Sequence, residues 1–306
     1  MGERALLPPT VQVYQTWNNC GPATVSMILS FYGIKKSQAE IGKDLRPYQN
    51  PKGDNDDKTI FPKEFADYVS QFGLKSLYRV GGDLELLKTF LANGLPVVVK
   101  QWLHQGEDIG HFRIVRGFDE RQKVFLTDDS YDGPNRKISF SDFDELWQPF
   151  NYGYILVYPP ELQKMVEVIL GEAIDPVYAY QKAAERAERE ENFFNLATSF
   201  YHLGEYQKSV EAFEKVESQL PRRMLWYQIE PILSYQSLGR FDKVLALTDN
   251  ILNGGNRAFS ELYQIRGEIF LAQGDKEKAR LEFEKAVKYN INYQPAKEGL
   301  AKLDEN

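Results

Sequence analysis

The chain holds very little with which to bind a metal ion or close a disulfide. Its 306 residues include one cysteine, Cys20, and three histidines, His104, His111 and His202. A single thiol cannot form an internal disulfide, and it excludes any zinc site built on more than one thiolate. No metal or organic cofactor is expected. Long apolar runs are missing too. The short ones, such as Pro96 to Val99, fit a buried strand and fall well below the roughly 18 residues that a membrane span needs. Basic excess is also absent: 37 Lys and Arg face 44 Asp and Glu, for a net charge of −7. A nucleic-acid surface needs clustered Lys and Arg, so no nucleic-acid partner is expected. The first residues, Met-Gly-Glu-Arg, carry no apolar signal region.

What is present is enough apolar residue for two cores. At 42% hydrophobic over this length, the chain reads as two domains. Up to Tyr158, glycine and proline punctuate short β-rich runs. Beyond Pro159-Pro160, Ala, Glu, Lys, Leu and Tyr recur at helical spacing. The boundary is therefore expected there, with domains at 1–158 and 159–306.

The second half repeats itself. Aligning "HLGEYQKSVEAFEKV", "SLGRFDKVLALTDNI" and "AQGDKEKARLEFEKA" places Gly204, Gly239 and Gly274 at a constant spacing of 35 residues. Seven positions before each glycine stand Ala197, Ile232 and Gly267, and four before stand Phe200, Tyr235 and Phe270. Ser209, Val244 and Ala279 follow at a fixed offset, as do Phe213, Thr248 and Phe283. The pattern describes pairs of amphipathic helices hinged at a glycine and resembles the tetratricopeptide repeat. It covers about three copies between Glu190 and Asn292, with a capping helix over 295–302. The middle copy departs at Pro231, Val244 and Thr248. Helical spacing over 161–171 and 176–189, with Asp175-Pro176 as a helix start, joins the repeats to the first domain. Such a solenoid offers a concave face to a peptide or protein partner.

The first domain carries the chemistry. In "VYQTWNNCGPATVSMILSFYG", a loop feeds a helix that Pro22 tolerates in its first turn. Ala23, Met27, Ile28 and Phe31 give that helix an apolar face, and Gly33 closes it. Cys20 therefore stands at a helix N-terminus. There the helix dipole and unsatisfied amides favour a thiolate and can also receive an oxyanion. Gln15, five residues earlier, can lend a side-chain amide to that oxyanion if the loop folds back. A buried structural cysteine is the competing reading.

A thiolate nucleophile needs a base and an orienting acid, distant in sequence and close in the fold. His111 follows Gly110 and opens "HFRIVRGFD", an alternating strand. The next strand, "KVFLTDDSYDG", puts Asp128 or Asp129 beside it as the carboxylate that would hold the imidazole tautomer. His104, in an expected surface loop, and His202, inside a repeat helix, read as packing or surface residues.

Gln15, "NNCGPAT", "GHFRIVRGFD" and "DSYDG" together resemble the C39 family of papain-like cysteine peptidases, over roughly residues 8–158. The resemblance implies an α+β papain-like cysteine peptidase domain followed by an all-α tetratricopeptide-repeat solenoid. It assigns Cys20 as nucleophile, His111 as general base and acid, Gln15 as oxyanion donor and Asp129 as the triad acid, with Asp128 the alternative. Two departures stand out. Gln15 lies five rather than six residues before the cysteine, and Ser130 occupies a position where the family often has proline.

The function implied is hydrolysis of a peptide bond, with a peptide or protein as substrate and the repeats binding substrate or a protein partner. Two alternatives stay open: an inactive papain-like peptide-binding or scaffold protein, and a thioester-forming acyltransferase or deamidase. C39-like domains fused to such repeats resemble exported or envelope-attached bacterial proteins, so an extracellular or envelope location is expected, with a cytoplasmic one open. The acidic stretch Gly53 to Lys58 lacks the spacing of a calcium loop and reads as solvated. "RVGGDLELL" reads as a turn with Asp83 as helix N-cap rather than a phosphate loop.

Overall fold

The computed structural model describes residues 2–48 and 60–304. The expected acidic stretch Gly53 to Lys58 lies outside the described residues. The first domain comprises β1 (Arg4–Leu6), α1 (Cys20–Phe31), α2 (Gln38–Leu45), α3 (Pro62–Val69), β2 (Lys75–Arg79), α4 (Leu84–Ala92), β3 (Val97–Trp102), β4 (Gly110–Asp119), β5 (Val124–Asp129), β6 (Gly133–Ser139), α5 (Phe140–Trp147) and β7 (Tyr154–Tyr158). The strands form one antiparallel sheet in the order β2-β7-β3-β4-β5-β6, and β1 pairs with β4 beside this path.

Both faces of the sheet are covered. On one face α1 and α3 bury Met27, Ile28 and Phe65 against Phe112, Ile114 and Ile155. On the other, Leu87, Phe90 and Phe143 of α4 and α5 pack against Val97, Val99 and Leu156. Two-sided burial explains why β3 and β7 read as continuous apolar runs instead of alternating ones. It also corrects the expectation of a single apolar face on α1. Every residue from Cys20 to Leu29 is buried, because that helix sits between the sheet and its neighbours. The expected N-cap is present, since Asp83 Oδ1 accepts from Leu86 N–H at 2.7 Å; Ser37 with Glu40 forms a capping box on α2.

After β7 the chain is helical. Two helices, α6 (Gln163–Leu170) and α7 (Pro176–Arg189), lead into α8 (Phe193–His202), α9 (Tyr206–Glu214), α10 (Met224–Tyr227), α11 (Glu230–Ser237), α12 (Phe241–Asn253), α13 (Ser260–Ala272), α14 (Lys276–Tyr289) and α15 (Gln294–Asp304). Asp175 caps α7 through Val177 N–H at 2.9 Å. Three hairpins, α8/α9, α11/α12 and α13/α14, turn at Gly204, Gly239 and Gly274. Their φ values of +75°, +69° and +81° lie where a side chain would be strained. Val166 and Leu170 of α6 close the core under α4, so the helical part begins by sealing the first domain. Among the described residues, no helix is long and apolar enough to cross a membrane.

The middle hairpin is the irregular one. Its first helix, α11, has 8 residues, where α8 has 10 and α13 has 13. Pro231 sits in its first turn and Pro221 precedes α10, so a continuous helix cannot run through this stretch. The residues released from that helix form α10. Tyr227, Met224 and Ile229 join a core shared with Trp102, Leu146 and Phe150 of the sheet domain. Repeat degeneracy and domain contact thus coincide.

Candidate active site

Cys20 opens α1 directly after Asn19, and it is 7% exposed. The loop before it is clamped by Gln38 at the start of α2. The Gln38 amide donates to the Tyr14 carbonyl at 2.8 Å, and its oxygen accepts from Thr16 N–H and Asn19 Nδ2, each at 3.0 Å. The thiol is therefore presented on a fixed backbone at the positive end of a helix.

His111, second residue of β4, reaches this helix end from the sheet. Its Nε2 lies 2.9 Å from Asp129 Oδ1, and its ring lies close enough to the Cys20 thiol for each to shift the other's ionisation. Asp129 ends β5, where it stands opposite Arg113 of β4. Arg113 Nε lies 2.7 Å from Asp129 Oδ2, close enough for an ion pair although its N–H is not aligned as a hydrogen bond. The backbone N–H groups of Tyr131 and Asp132 donate to Asp129 Oδ1 at 2.7 and 3.0 Å. Three groups thus hold one buried carboxylate against the imidazole.

The ionisation of the three groups follows from this geometry. Burial opposes the Cys20 thiolate, but the hydrogen bond and charge of His111, the charge of Lys100 and a backbone hydrogen bond at Phe112 together lower the thiol pKa. Burial likewise opposes the His111 imidazolium, and its hydrogen bonds and charge interactions with Asp129 and Cys20 outweigh that, raising it to about 9. For Asp129, burial is overcome by His111, by Arg113 and by the Asp132 N–H, which hold its carboxyl well below the usual carboxylate range. The combination favours a thiolate beside an imidazolium.

Asp128 serves elsewhere. It accepts from Arg116 Nε at 2.9 Å and from the Thr10 N–H and hydroxyl at 3.0 and 2.9 Å. It ties the N-terminal segment to the sheet and does not bond His111. Gln15 is brought to the same cleft as Cys20 and His111. Its Oε1 accepts from the Ser130 hydroxyl at 2.9 Å, and its backbone N–H donates to the Ser130 carbonyl at 2.9 Å. With Oε1 anchored, the amide nitrogen remains as the donor. Ser130, the departure from the usual proline, is the residue that anchors it.

Residues 7–155 match the Peptidase_C39 like family, and residues 260–292 match the tetratricopeptide repeat. The chain joins a C39-like domain to a tetratricopeptide-repeat region. No curated protein matches it. Solved structures similar to it include a Bacillus anthracis protein assigned as a C39-like peptidase, at 15% identity and TM-score 0.41, covering 51% of this chain and 98% of that one. The peptidase domain of Streptococcus ComA, a bifunctional ABC transporter involved in quorum sensing, shares 15% identity at TM-score 0.39, covering 50% and 99%. A double-glycine-motif protease from an AMS/PCAT transporter, solved in complex with the leader peptide, shares 16% identity at TM-score 0.37, covering 51% and 94%.

The cleft of the C39-like domain is not built by that domain alone. A cavity of about 600 Å³ opens over Cys20 and His111, and the helical region supplies part of its wall through Arg222, Arg223, Trp226, Tyr227 and Asn256. Gly110, next to His111, packs on the Tyr227 ring so closely that a Cβ there would lie 2.9 Å from it. Lys100 Nζ sits 5.0 Å from the centre of the same ring and donates to the Ile60 carbonyl at 3.2 Å. Burial pushes the Tyr227 phenol up to about 12, so it stays protonated beside the thiolate.

Sequence reasoning singled out Cys20, His111, Asp129 and Gln15, and the fold brings all four into one place. It missed Lys100, Arg113 and Tyr227, and it noted Ser130 only as a departure from the family pattern. Arg113 carried a readable signal, a charged residue two positions from His111 and so on the same face of the strand. The other two histidines are remote from the thiol's bonds: His104 is an exposed neighbour of Glu107 and Asp132, and His202 stacks on Tyr180 with ring centres 4.1 Å apart. Among the described residues, no group of His, Cys, Asp and Glu is arranged to hold a metal ion.

Proposed function

We propose that the chain is a cysteine peptidase. The observation that carries this reading is the buried chain of contacts from Cys20 through His111 to Asp129, with the thiol pKa lowered and the imidazole raised. Membership of the C39-like family by sequence match over 7–155 supports it independently.

In this reading Cys20 attacks the scissile carbonyl as a thiolate, and the developing oxyanion takes hydrogen bonds from the Cys20 backbone N–H and the Gln15 amide. His111, as imidazolium, gives its proton to the leaving amine. As a neutral base it then takes a proton from the water that hydrolyses the thioester, and the cysteine is regenerated. Asp129 keeps the imidazole oriented and supports its positive charge. The repeat region serves binding, either of the substrate or of a protein partner.

The test is the pH dependence of Cys20 alkylation by iodoacetamide, read by mass spectrometry in the unaltered protein and in His111→Ala. A thiolate–imidazolium pair gives an inflection well below the free-thiol value of about 8.5, and removing the imidazole abolishes it. An ordinary thiol, indifferent to His111, would overturn the peptidase reading.

A further inference from the structure

The wall that the helical region lends to the cleft has a chemistry of its own. The whole chain is acidic, with 44 Asp and Glu and a net charge of −7, yet among the described residues no Asp or Glu lines the cavity over Cys20. Two arginines do. Arg223 is neutralised by Asp108, 2.5 Å from its Nη1. Arg222 donates to the Gly254 carbonyl, and no carboxylate among the described residues pairs with it. Its guanidinium is exposed at the cavity rim with most of its donors uncommitted.

Two further features lie beside it. Asn256 is 2% exposed and lines the cavity, and its side-chain oxygen has no hydrogen-bond partner. A buried amide of this kind costs stability unless a ligand completes it. Trp226 is half-buried next to Arg223, with Gly255 bare beneath its ring, and across the opening Trp17 and Tyr131 are 67% and 57% exposed. The exposed rings of Trp17 and Tyr131 facing the half-buried Trp226 fit a bulky side chain rather than water.

We propose that the helical region selects the substrate: Arg222, Trp226 and Asn256 take a peptide that carries a carboxylate beside a bulky apolar or aromatic side chain. This segment binds on the side of the scissile bond that faces α10. Arg222 meets the carboxylate, Trp226 the apolar side chain, and Asn256 a main-chain amide of the peptide. The proposal rests on the peptidase reading for its scissile bond, while its binding surface stands on residues the chemistry does not use.

A positional-scanning library of acetylated decapeptides tests it on the full chain, with cleavage sites read by mass spectrometry. Each position is compared as Glu and as Gln, and each peptide as free acid and as amide, so that a side-chain carboxylate is told from a terminal one. A charge-assisted contact predicts a preference for the anionic member of about tenfold in kcat/KM on one side of the cleavage site only. In Arg222→Gln that ratio falls to near one, Arg222→Lys keeps part of it, and Arg240→Gln, a surface change outside the cavity, leaves it intact. Trp226→Ala loses the preference for the bulky neighbour and keeps that for the anion. Equal cleavage of both members, or a preference that survives Arg222→Gln, overturns the proposal. Should no peptide be cleaved, the same library is passed over immobilised full-length Cys20→Ala. Retention of acidic members that Arg222→Gln abolishes then upholds the surface while the peptidase reading fails, and retention without charge preference overturns it.

Discussion

Ser130 and Gln15 are joined twice, by a hydroxyl-to-amide-oxygen bond at 2.9 Å and by a backbone bond of the same length in the other direction. The turn that carries Asp129 is thereby tied to the loop that precedes Cys20. The side-chain bond fixes which end of the Gln15 amide faces outward, because an oxygen that accepts from Ser130 leaves the nitrogen to donate. Ser130→Ala releases the amide to rotate. If Gln15 stabilises the oxyanion, kcat falls by about tenfold, a part of the 100-fold or more that a lost oxyanion donor costs. Cys20 alkylation by iodoacetamide, which forms no oxyanion, keeps its rate. Equal losses in both assays would place the effect on the thiol instead.

Asp129 and Asp128 are neighbours in sequence with opposite duties, and asparagine separates them. Asp129→Asn keeps the shape and removes the charge that supports the His111 imidazolium. Turnover drops by at least about tenfold, and the alkylation inflection moves to higher pH. Asp128→Asn leaves the alkylation profile in place but deprives buried Arg116 of its counter-charge, which costs about 3–5 kcal/mol of stability. Thermal melts and alkylation profiles of the two variants, side by side, check the division. Identical behaviour of the pair would refute it.

The pH profile has a definite sign. His111 is raised to about 9 and the Cys20 thiol is lowered, so the reactive ion pair exists between the two and is lost when the imidazolium deprotonates. The rate kcat/KM therefore declines through about pH 9. Stability follows the same groups. A His111 pKa raised from about 6.5 contributes stability that is complete below that value and fades as pH climbs through the folded one. Asp129 is depressed, so its contribution is complete above about pH 4 and is lost as pH falls further. Urea unfolding across pH, in the protein and in His111→Gln, measures the alkaline arm; an unchanged alkaline slope in the variant contradicts it.

Much of this arrangement was legible in the residues. Cys20 ahead of a helix and His111 at the head of an alternating strand are local patterns. The hairpin that follows offered Asp128 or Asp129, and only the family resemblance favoured Asp129; the ion pair of Asp128 with Arg116, which leaves Asp129 to the histidine, shows in the fold alone. The hinge glycines were legible because a 35-residue period repeats a backbone requirement at Gly204, Gly239 and Gly274. What the sequence concealed depends on long-range contact. The middle repeat was visibly irregular, but nothing near Pro231 says that the chain has left its helix to lay Tyr227 on Gly110. Lys100 on a strand of valines gives no sign that it faces a thiol 80 residues earlier. The apolar pattern of α1 suggested one buried face because a sequence window cannot see that both sides are covered.

Lys100 is the least conventional neighbour of the thiol. Buried at 2% exposure on β3, its ammonium lies over the Phe112 and Tyr227 rings at 4.9 and 5.0 Å, and its charge lowers the Cys20 pKa. Lys100→Met keeps the stem and removes the charge. The alkylation inflection then rises while the imidazole titration of His111, followed by NMR, stays bonded to Asp129 and close to its original value. An inflection that does not move would leave Lys100 as packing for the two rings.

The helical region also stabilises the domain that it serves. Trp102, Leu146 and Phe150 of the sheet domain are buried in the core of the repeats, and Val166 and Leu170 close the core beneath α4. Asn151, held at a φ of +53°, has its amide satisfied by Thr198 and Ser199 at 3.2 and 2.9 Å. A chain ending at Tyr158 loses all of these partners at once. Each large apolar side chain returned to water costs about 1.5–3 kcal/mol, so the three sheet-domain residues alone account for about 5 kcal/mol. At about 2–4 °C per kcal/mol for a domain of this size, the truncated chain melts at least about 10 °C below the full one. It also binds a hydrophobic dye that the full chain does not. Ending the chain at Glu191 restores α6 and α7 and recovers only the part of the loss that Val166 and Leu170 explain. Calorimetry on the three lengths decides the matter: a 1–158 chain that melts with the full protein would mean that the two regions fold independently and the shared core adds nothing.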